Sequence, residues 1–298
     1  MINSGKCLVC DSDRLEYLTK LFSKHCKGLV HNVSICRDCG HIQLSPLIRA
    51  EEFSKINEDF LGGKYLKGGV ENPDNDKKLD KISRILSPYI ANEMKILDIG
   101  AGEGWMMKLA EKWQCKYFAI EPIPKLADSI VARGGEVISN SISDNLDAYL
   151  GAFDIVVFRH VLEHMECPLD VLLKIKRLLK PEGVLYIAVP NASDFSIRKG
   201  VRTSFLRPAH LSYFCKGNLT RLARRAGLIE LSSDIASEIV CILRPSDGKL
   251  VGDIEENYYE GQRKTFKARI QASLFRDTYN IMCIVIIKLL DRKSISSV

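Results

Sequence analysis

Along the middle of the chain, short runs of apolar residues alternate with longer segments in which apolar positions recur every three to four residues. The runs lie at Met94–Ile99, Tyr117–Ile120, Glu136–Ile138, Asp154–Phe158 and Val184–Val189. Most are too short for helices and too continuous for half-exposed strands, so they predict strands buried on both faces. The intervening segments, one ending near Trp113 and the others at Pro124–Ala132 and Pro168–Leu179, predict helices. Upstream, Leu79, Ile82, Ile85 and Leu86 share one helical face within 74–90, and Pro88 disturbs its end. Downstream, Lys216–Ala226 predicts a helix stopped by Gly227, then two strands, Leu228–Leu231 and Ile239–Leu243, able to close the sheet as a hairpin. The stretch 258–290 reads as predominantly helical. Strands alternating with helices imply an α/β fold, a parallel sheet with helices on both faces. No internal repeat is visible.

The chain has 298 residues, enough for one large domain and a smaller appendage. Apolar residues at 46% and charged residues at 27% exclude a disordered chain. The net charge of +6 is mild and not gathered into a basic tract, so no nucleic-acid partner is expected. Met1–Asp13 has no apolar signal region, and the longest apolar run, Ile281–Ile287, falls far short of the roughly 20 residues that cross a bilayer. A cytoplasmic location without a transmembrane segment is therefore expected. In such a reducing compartment the ten cysteines are read for metal binding rather than disulfides. Cys7-Leu-Val-Cys10 and Cys36-Arg-Asp-Cys39 form two knuckles whose four thiolates complete a tetrahedral zinc shell. Four sulfurs leave no place for water, so this zinc is structural. A redox pair would need one such motif behind a strand in a βαβ unit, which is absent. His25, Cys26, His31 and His41 lack the paired spacing of ligands.

In a parallel sheet, ligands bind beyond the carboxyl ends of the strands where the winding reverses. The first such end is Asp98-Ile-Gly100-Ala-Gly102-Glu-Gly104-Trp105, where glycines let the backbone approach a ligand. Glu121 ends the next strand, placed to accept both hydroxyls of a ribose. A dinucleotide fingerprint would need a small residue at 105, and Trp105 stands there.

The pattern D-I-G-A-G-E-G resembles instead the first motif of class I S-adenosylmethionine-dependent methyltransferases. Phe153-Asp154-Ile-Val-Val-Phe158-Arg159-His160-Val-Leu-Glu163-His164, Pro168, Leu178-Leu-Lys180-Pro181-Glu182-Gly183-Val184 and Val189-Pro190-Asn191 resemble its later motifs. The segment Cys36–Leu44 is similar to the second knuckle of the branch that carries an N-terminal zinc-binding module and acts on sugars or other small metabolites. The resemblance spans about residues 7 to 230. It implies a Rossmann-like sheet and S-adenosylmethionine as cofactor, with Asp98, Gly100, Gly102, Glu121 and His160 as binding residues and Ser141–Asp144 beside the adenine. His160-Val-Leu-Glu163-His164 also spells the H-x-x-E-H of an inverted zinc protease, but that chemistry needs both histidines on one helix, and His160 falls at a strand's end.

Methyl transfer to a hydroxyl or a C–H acid requires a base, for which the candidate is His210, in the loop Arg207-Pro208-Ala209-His210-Leu-Ser-Tyr213-Phe214. The similar segment of the zinc-bearing sugar C-methyltransferases has a tyrosine and a glutamate where Arg207 and Ala209 stand, a departure that weakens C-methylation and leaves O- or N-methylation more open, with the target atom undecided. Arg198, Arg202 and Arg207 offer positive charge to a phosphate on the acceptor. The expected organisation is a zinc-binding module at 1–48, a linker and helical lead-in at 49–92, the cofactor-binding domain at 93–245 and a helical extension at 246–298. The expected acceptor is a small molecule, a sugar or sugar nucleotide. The alternative is an RNA- or protein-modifying methyltransferase gripping its macromolecule through the zinc module, and a third reading is a non-catalytic interaction protein. The apolar stretch Asn280–Leu290 is expected to pack on the sheet, with a homodimer contact or a membrane surface as other uses.

Overall fold

The structure, a computed structural model, describes residues 5–22, 30–47, 73–194, 209–246 and 258–272. Its larger sheet has seven strands. The runs read from the sequence become β4 (Lys95–Ile99), β5 (Lys116–Ile120), β6 (Glu136–Ser139), β7 (Phe153–Arg159) and β8 (Leu179–Pro190). The hairpin becomes β10 (Leu228–Ile235) and β11 (Glu238–Pro245). Their order is β10-β11-β8-β7-β4-β5-β6, parallel from β6 to β8, with β11 antiparallel between β8 and β10. This is the expected Rossmann-like sheet, and its winding reverses between β4 and β7.

Strand alternation sends successive side chains to opposite faces, and two separate cores result. On one face Ile96, Ile155, Val157, Tyr186 and Ile242 pack with α1 (Pro73–Leu86), α2 (Met107–Lys112) and α3 (Pro124–Ala132) through Leu79, Ile82, Leu109 and Ile130. On the other, Leu97, Ile99, Val156 and Phe158 pack with α4 (Pro168–Leu178) and α5 (Lys216–Arg225) through Leu172, Ile175, Leu219 and Leu222. Pro124 and Pro168 open α3 and α4, where a missing N–H costs nothing and the fixed φ suits a helix.

The N-terminal segment holds three strands the periodicity did not announce: β1 (Leu15–Phe22), β2 (Val30–Cys36) and β3 (Ile42–Leu44). Their antiparallel sheet takes its fourth strand, β9 (Ser212–Tyr213), from the loop after β8, and Ile42 and Gln43 pair with Tyr213 and Ser212. A helix over 259–272, α6, packs Phe266 into the core that this sheet shares with Ala192, Ala209 and Leu211. No helix among the described residues is long and apolar enough to cross a membrane. Arg198, Arg202, Arg207, His25, Cys26 and Asn280–Leu290 lie outside the described residues.

Candidate active site

Beyond the carboxyl ends of β4, β5 and β7 lies a cavity of about 1170 Å³. Gly100, Gly102, Glu121, His160 and His210, five of the residues singled out in the sequence, line it together with Ser141 and Ser143. Gly100 has φ +71°, and a Cβ there would stand 2.6 Å from Cγ2 of Val161, so the turn needs glycine both for its backbone and for space. Gly102 also has positive φ, with nothing within 4 Å of where a Cβ would be. Glu121 accepts from the amides of Gly102, at 2.6 Å, and Ile123, at 2.9 Å. Burial raises its pKa, and those two amides work against the rise.

Asp98 is not on the cavity lining. It lies on the face of β4 opposite Leu97 and Ile99, accepting from the Tyr117 hydroxyl at 2.9 Å, with burial pushing its carboxyl up to about 7. Its place is behind the turn, as a support.

The other cavity residues form a charged cluster. His160 follows β7 with φ +54°, and its two ring nitrogens meet Glu163 at 3.3 Å and Glu238, at the start of β11, at 3.0 Å. Burial disfavours the imidazolium, yet the two carboxylates outweigh it and raise the His160 pKa above the ordinary histidine value. Arg159 also reaches Glu238, at 2.9 Å, and lies over the Trp105 ring at 5.9 Å. Glu163 and His164 sit in a single 3-10 turn, Leu162–His164, so the H-x-x-E-H residues do not share a helix. The turn is sewn to the loop carrying His210: Leu211 N–H donates to the Glu163 carbonyl at 2.8 Å, and His164 Nδ1 donates to the Ala209 carbonyl at 2.7 Å. The His164 and His210 rings meet edge to face, with centroids 4.9 Å apart. Glu238 carried no local sequence signal, since only the pairing of β11 with β8 brings it across to the end of β7.

At the N-terminus, Cys7, Cys10, Cys36 and Cys39 come together with their sulfurs within 4.8 Å of one another. The Cys7–Cys39 and Cys10–Cys36 sulfur separations are 3.5 Å, close to the roughly 3.8 Å that four sulfurs at zinc-bond length would show around one ion. The donor set, three of the four buried, fits a tetrahedral thiophilic ion. The cluster is tied to the larger domain, with Asn218 Nδ2 donating to the Cys39 carbonyl at 3.0 Å and Arg225 donating to the Val9 carbonyl and Asp11.

Comparison with known proteins points the same way. Residues 74–231 match the family described as methyltransferase domain. Among curated proteins, the ubiquinone biosynthesis O-methyltransferase of Nitrosococcus oceani is 25% identical over 179 residues, 51% of this chain and 76% of that protein. The Xanthomonas campestris protein of the same name is 27% identical over 128 residues, 39% of this chain, which spans only about half (53%) of that relative. Among solved structures, the Burkholderia thailandensis 1,6-didemethyltoxoflavin-N1-methyltransferase, bound to 1,6-didemethyltoxoflavin and S-adenosylhomocysteine, matches with a TM-score of 0.51 and 17% identity, over 77% of this chain and 100% of that one.

Proposed function

The chain belongs to the methyltransferase-domain family, as a class I S-adenosylmethionine-dependent enzyme, and from that premise we propose that it methylates a hydroxyl of a small molecule, a sugar or sugar nucleotide. One observation carries the reading: a single cavity joins the Gly100, Gly102 and Glu121 turn to the Glu163, His164 and His210 cluster. S-adenosylmethionine held at that turn would supply a methyl group on a sulfonium sulfur for transfer to the acceptor's oxygen. Gly100 and Gly102 allow the backbone to approach the cofactor, and Glu121 holds its ribose hydroxyls. His160 would contact its methionyl part and Ser141 and Ser143 its base, all three lining the same cavity. Asp98 acts from behind the turn, fixing β4 against Tyr117.

His210 takes the acceptor's proton, and the Glu163 carboxylate stabilises the imidazolium that forms. The O-methyltransferase names of the curated relatives support transfer to oxygen. The four cysteines hold a structural zinc, and the module it closes belongs to the acceptor side through β9.

Equilibrium dialysis of the full chain against labelled S-adenosylmethionine tests the first half of this reading, and saturable 1:1 binding is expected. Incubating the loaded protein with a panel of sugar nucleotides and free sugars tests the second, with label recovered in an O-methyl product. No cofactor binding overturns the first half, and label transferred only to macromolecules overturns the second.

A further inference from the structure

Glu238 is one carboxylate set among three basic side chains. Its Oε2 accepts from Arg159 at 2.9 Å and from His160 Nε2 at 3.0 Å, and its Oε1 accepts from Lys81 of α1 at 3.5 Å. Arg159 and His160 line the cavity, whereas Glu238 stands behind them, off the lining. The hairpin tip that carries it is fixed from the end of β8. Asn191 donates its backbone N–H to the Ser237 carbonyl at 3.1 Å and its side-chain amide to the Ala236 carbonyl at 2.8 Å, and Glu238 itself pairs with Pro190. The Arg159 guanidinium lies over the Trp105 ring, so the ring and the Glu238 bond together set the direction of its rigid fork of donors. His160 has a φ of +54°, a region that side chains other than glycine enter at a cost and keep only where their surroundings hold them. Here its N–H donates to the Ala188 carbonyl at 2.8 Å, and its ring is held between Glu163 and Glu238. A ring that meets a carboxylate at each nitrogen donates from both, and only the imidazolium has two N–H groups.

We propose that Glu238 is a positioning residue for the amino-acid end of the cofactor: by bonding both side chains it keeps His160 an imidazolium and aims Arg159, and their positive edge holds the methionyl carboxylate. The inference rests on the reading that S-adenosylmethionine occupies this cavity. The groups facing His160 are Glu163 in the turn after β7, Glu238 of β11 and Arg159 of β7. Lys81 of α1 and Asp234 of β10 act through Glu238, and His164 and His210 face Glu163. Burial and the Arg159 charge press His160 to give up its proton, and the two carboxylates outweigh them. Glu238→Gln keeps the length and an acceptor oxygen while removing one of those two charges, so His160 becomes neutral at a lower pH.

Two thioether probes separate positioning from support of the fold. S-adenosylhomocysteine carries the amino-acid part, and methylthioadenosine lacks it. Calorimetric titration of the full chain between about pH 6 and 8.5 is expected to show the affinity for S-adenosylhomocysteine falling as pH rises through the raised His160 pKa. In Glu238→Gln that fall should move to lower pH, leaving binding roughly 10-fold weaker near neutrality and above. His160→Asn, whose asparagine tolerates the left-handed backbone, should abolish the fall, and Arg159→Met should weaken S-adenosylhomocysteine roughly 10- to 100-fold. Methylthioadenosine should bind wild type and all three variants alike, which also shows that they are folded. Equal weakening of both probes in Glu238→Gln, or a pH profile that the substitution does not move, overturns the proposal and leaves the cofactor reading standing. Wild type that binds neither probe overturns the cofactor reading itself and this inference with it.

Discussion

Asp98 and Glu121 are both carboxylates at strand ends, and the structure places them differently, Glu121 on the cavity lining and Asp98 away from it. Asp98 is buried on the far face of β4, with its pKa pushed from 3.8 up to about 7. Between those values the folded chain holds a proton that the unfolded chain has lost, so stability falls as pH rises through that window. Asp98→Asn keeps an acceptor for the Tyr117 hydroxyl and removes the charge. It should therefore change stability little near pH 4 and raise the urea midpoint at pH 8. Glu163 and Glu238 run the other way, held down to about 2 from 4.5. Their stabilisation is present above the unfolded value and is lost as pH falls from about 4.5 toward 2. Urea unfolding at pH 5 and pH 3 should show a steep drop in wild type and a shallower one in Glu238→Gln. Glu121→Ala removes a charged acceptor worth about 1.5–3 kcal/mol, and dialysis should read a roughly 10- to 100-fold weaker hold on S-adenosylmethionine. Gly100→Ala meets both a positive φ and the Val161 methyl, and a loss of about 1–3 kcal/mol is expected by thermal melting, only partly recovered by adding Val161→Ala.

Elements whose side chains are buried on both faces were legible in the sequence, because continuous apolar runs such as Ile155–Phe158 in β7 or Val184–Val189 in β8 leave little choice of structure. That statement holds for β4, β5 and β7, whose predicted and observed bounds differ by one residue at each end at most, whereas β8 starts at Leu179, well before the expected Val184. The helix after the glycine turn is shorter than its pattern, Met107–Lys112, because Gly104 at φ +64° keeps the chain in turns beforehand. The strands of the N-terminal sheet were not legible: they are stabilised by pairing with one another and with a two-residue strand from elsewhere in the chain, which leaves no period to read. Within the site, Gly100, Gly102 and Glu121 were visible as a local motif. The Glu163, His164 and His210 cluster depends on a backbone bond between distant segments, from Leu211 to Glu163. Because β3 is the template for β9, the cysteine cluster should govern the order of this loop. Cys7→Ser with Cys36→Ser is expected to lower the hydrogen-exchange protection of 211–215 while cofactor binding survives.

At the scale of the whole molecule, the N-terminal sheet and the large domain share a core. Leu8, Val33, Ile35, Ile42 and Leu44 pack with Ala192, Leu211, Tyr213 and Phe266. Glu16 adds an ion pair with Arg263 of α6 at 2.8 Å, so three regions of the chain meet there. Segments joined in this way unfold together. Calorimetry should show one transition, and a chelator should shift the whole of it rather than reveal a separate early step.

The strand that β9 lends to the N-terminal sheet also limits how this protein can be recombined with its relatives. A chimera joined after residue 47 would separate β3 from the partner it was selected to pair with. Exchanging the front segment together with 209–219 would carry the strand pairing, the Asn218 bond to Cys39 and His210 across as one cassette.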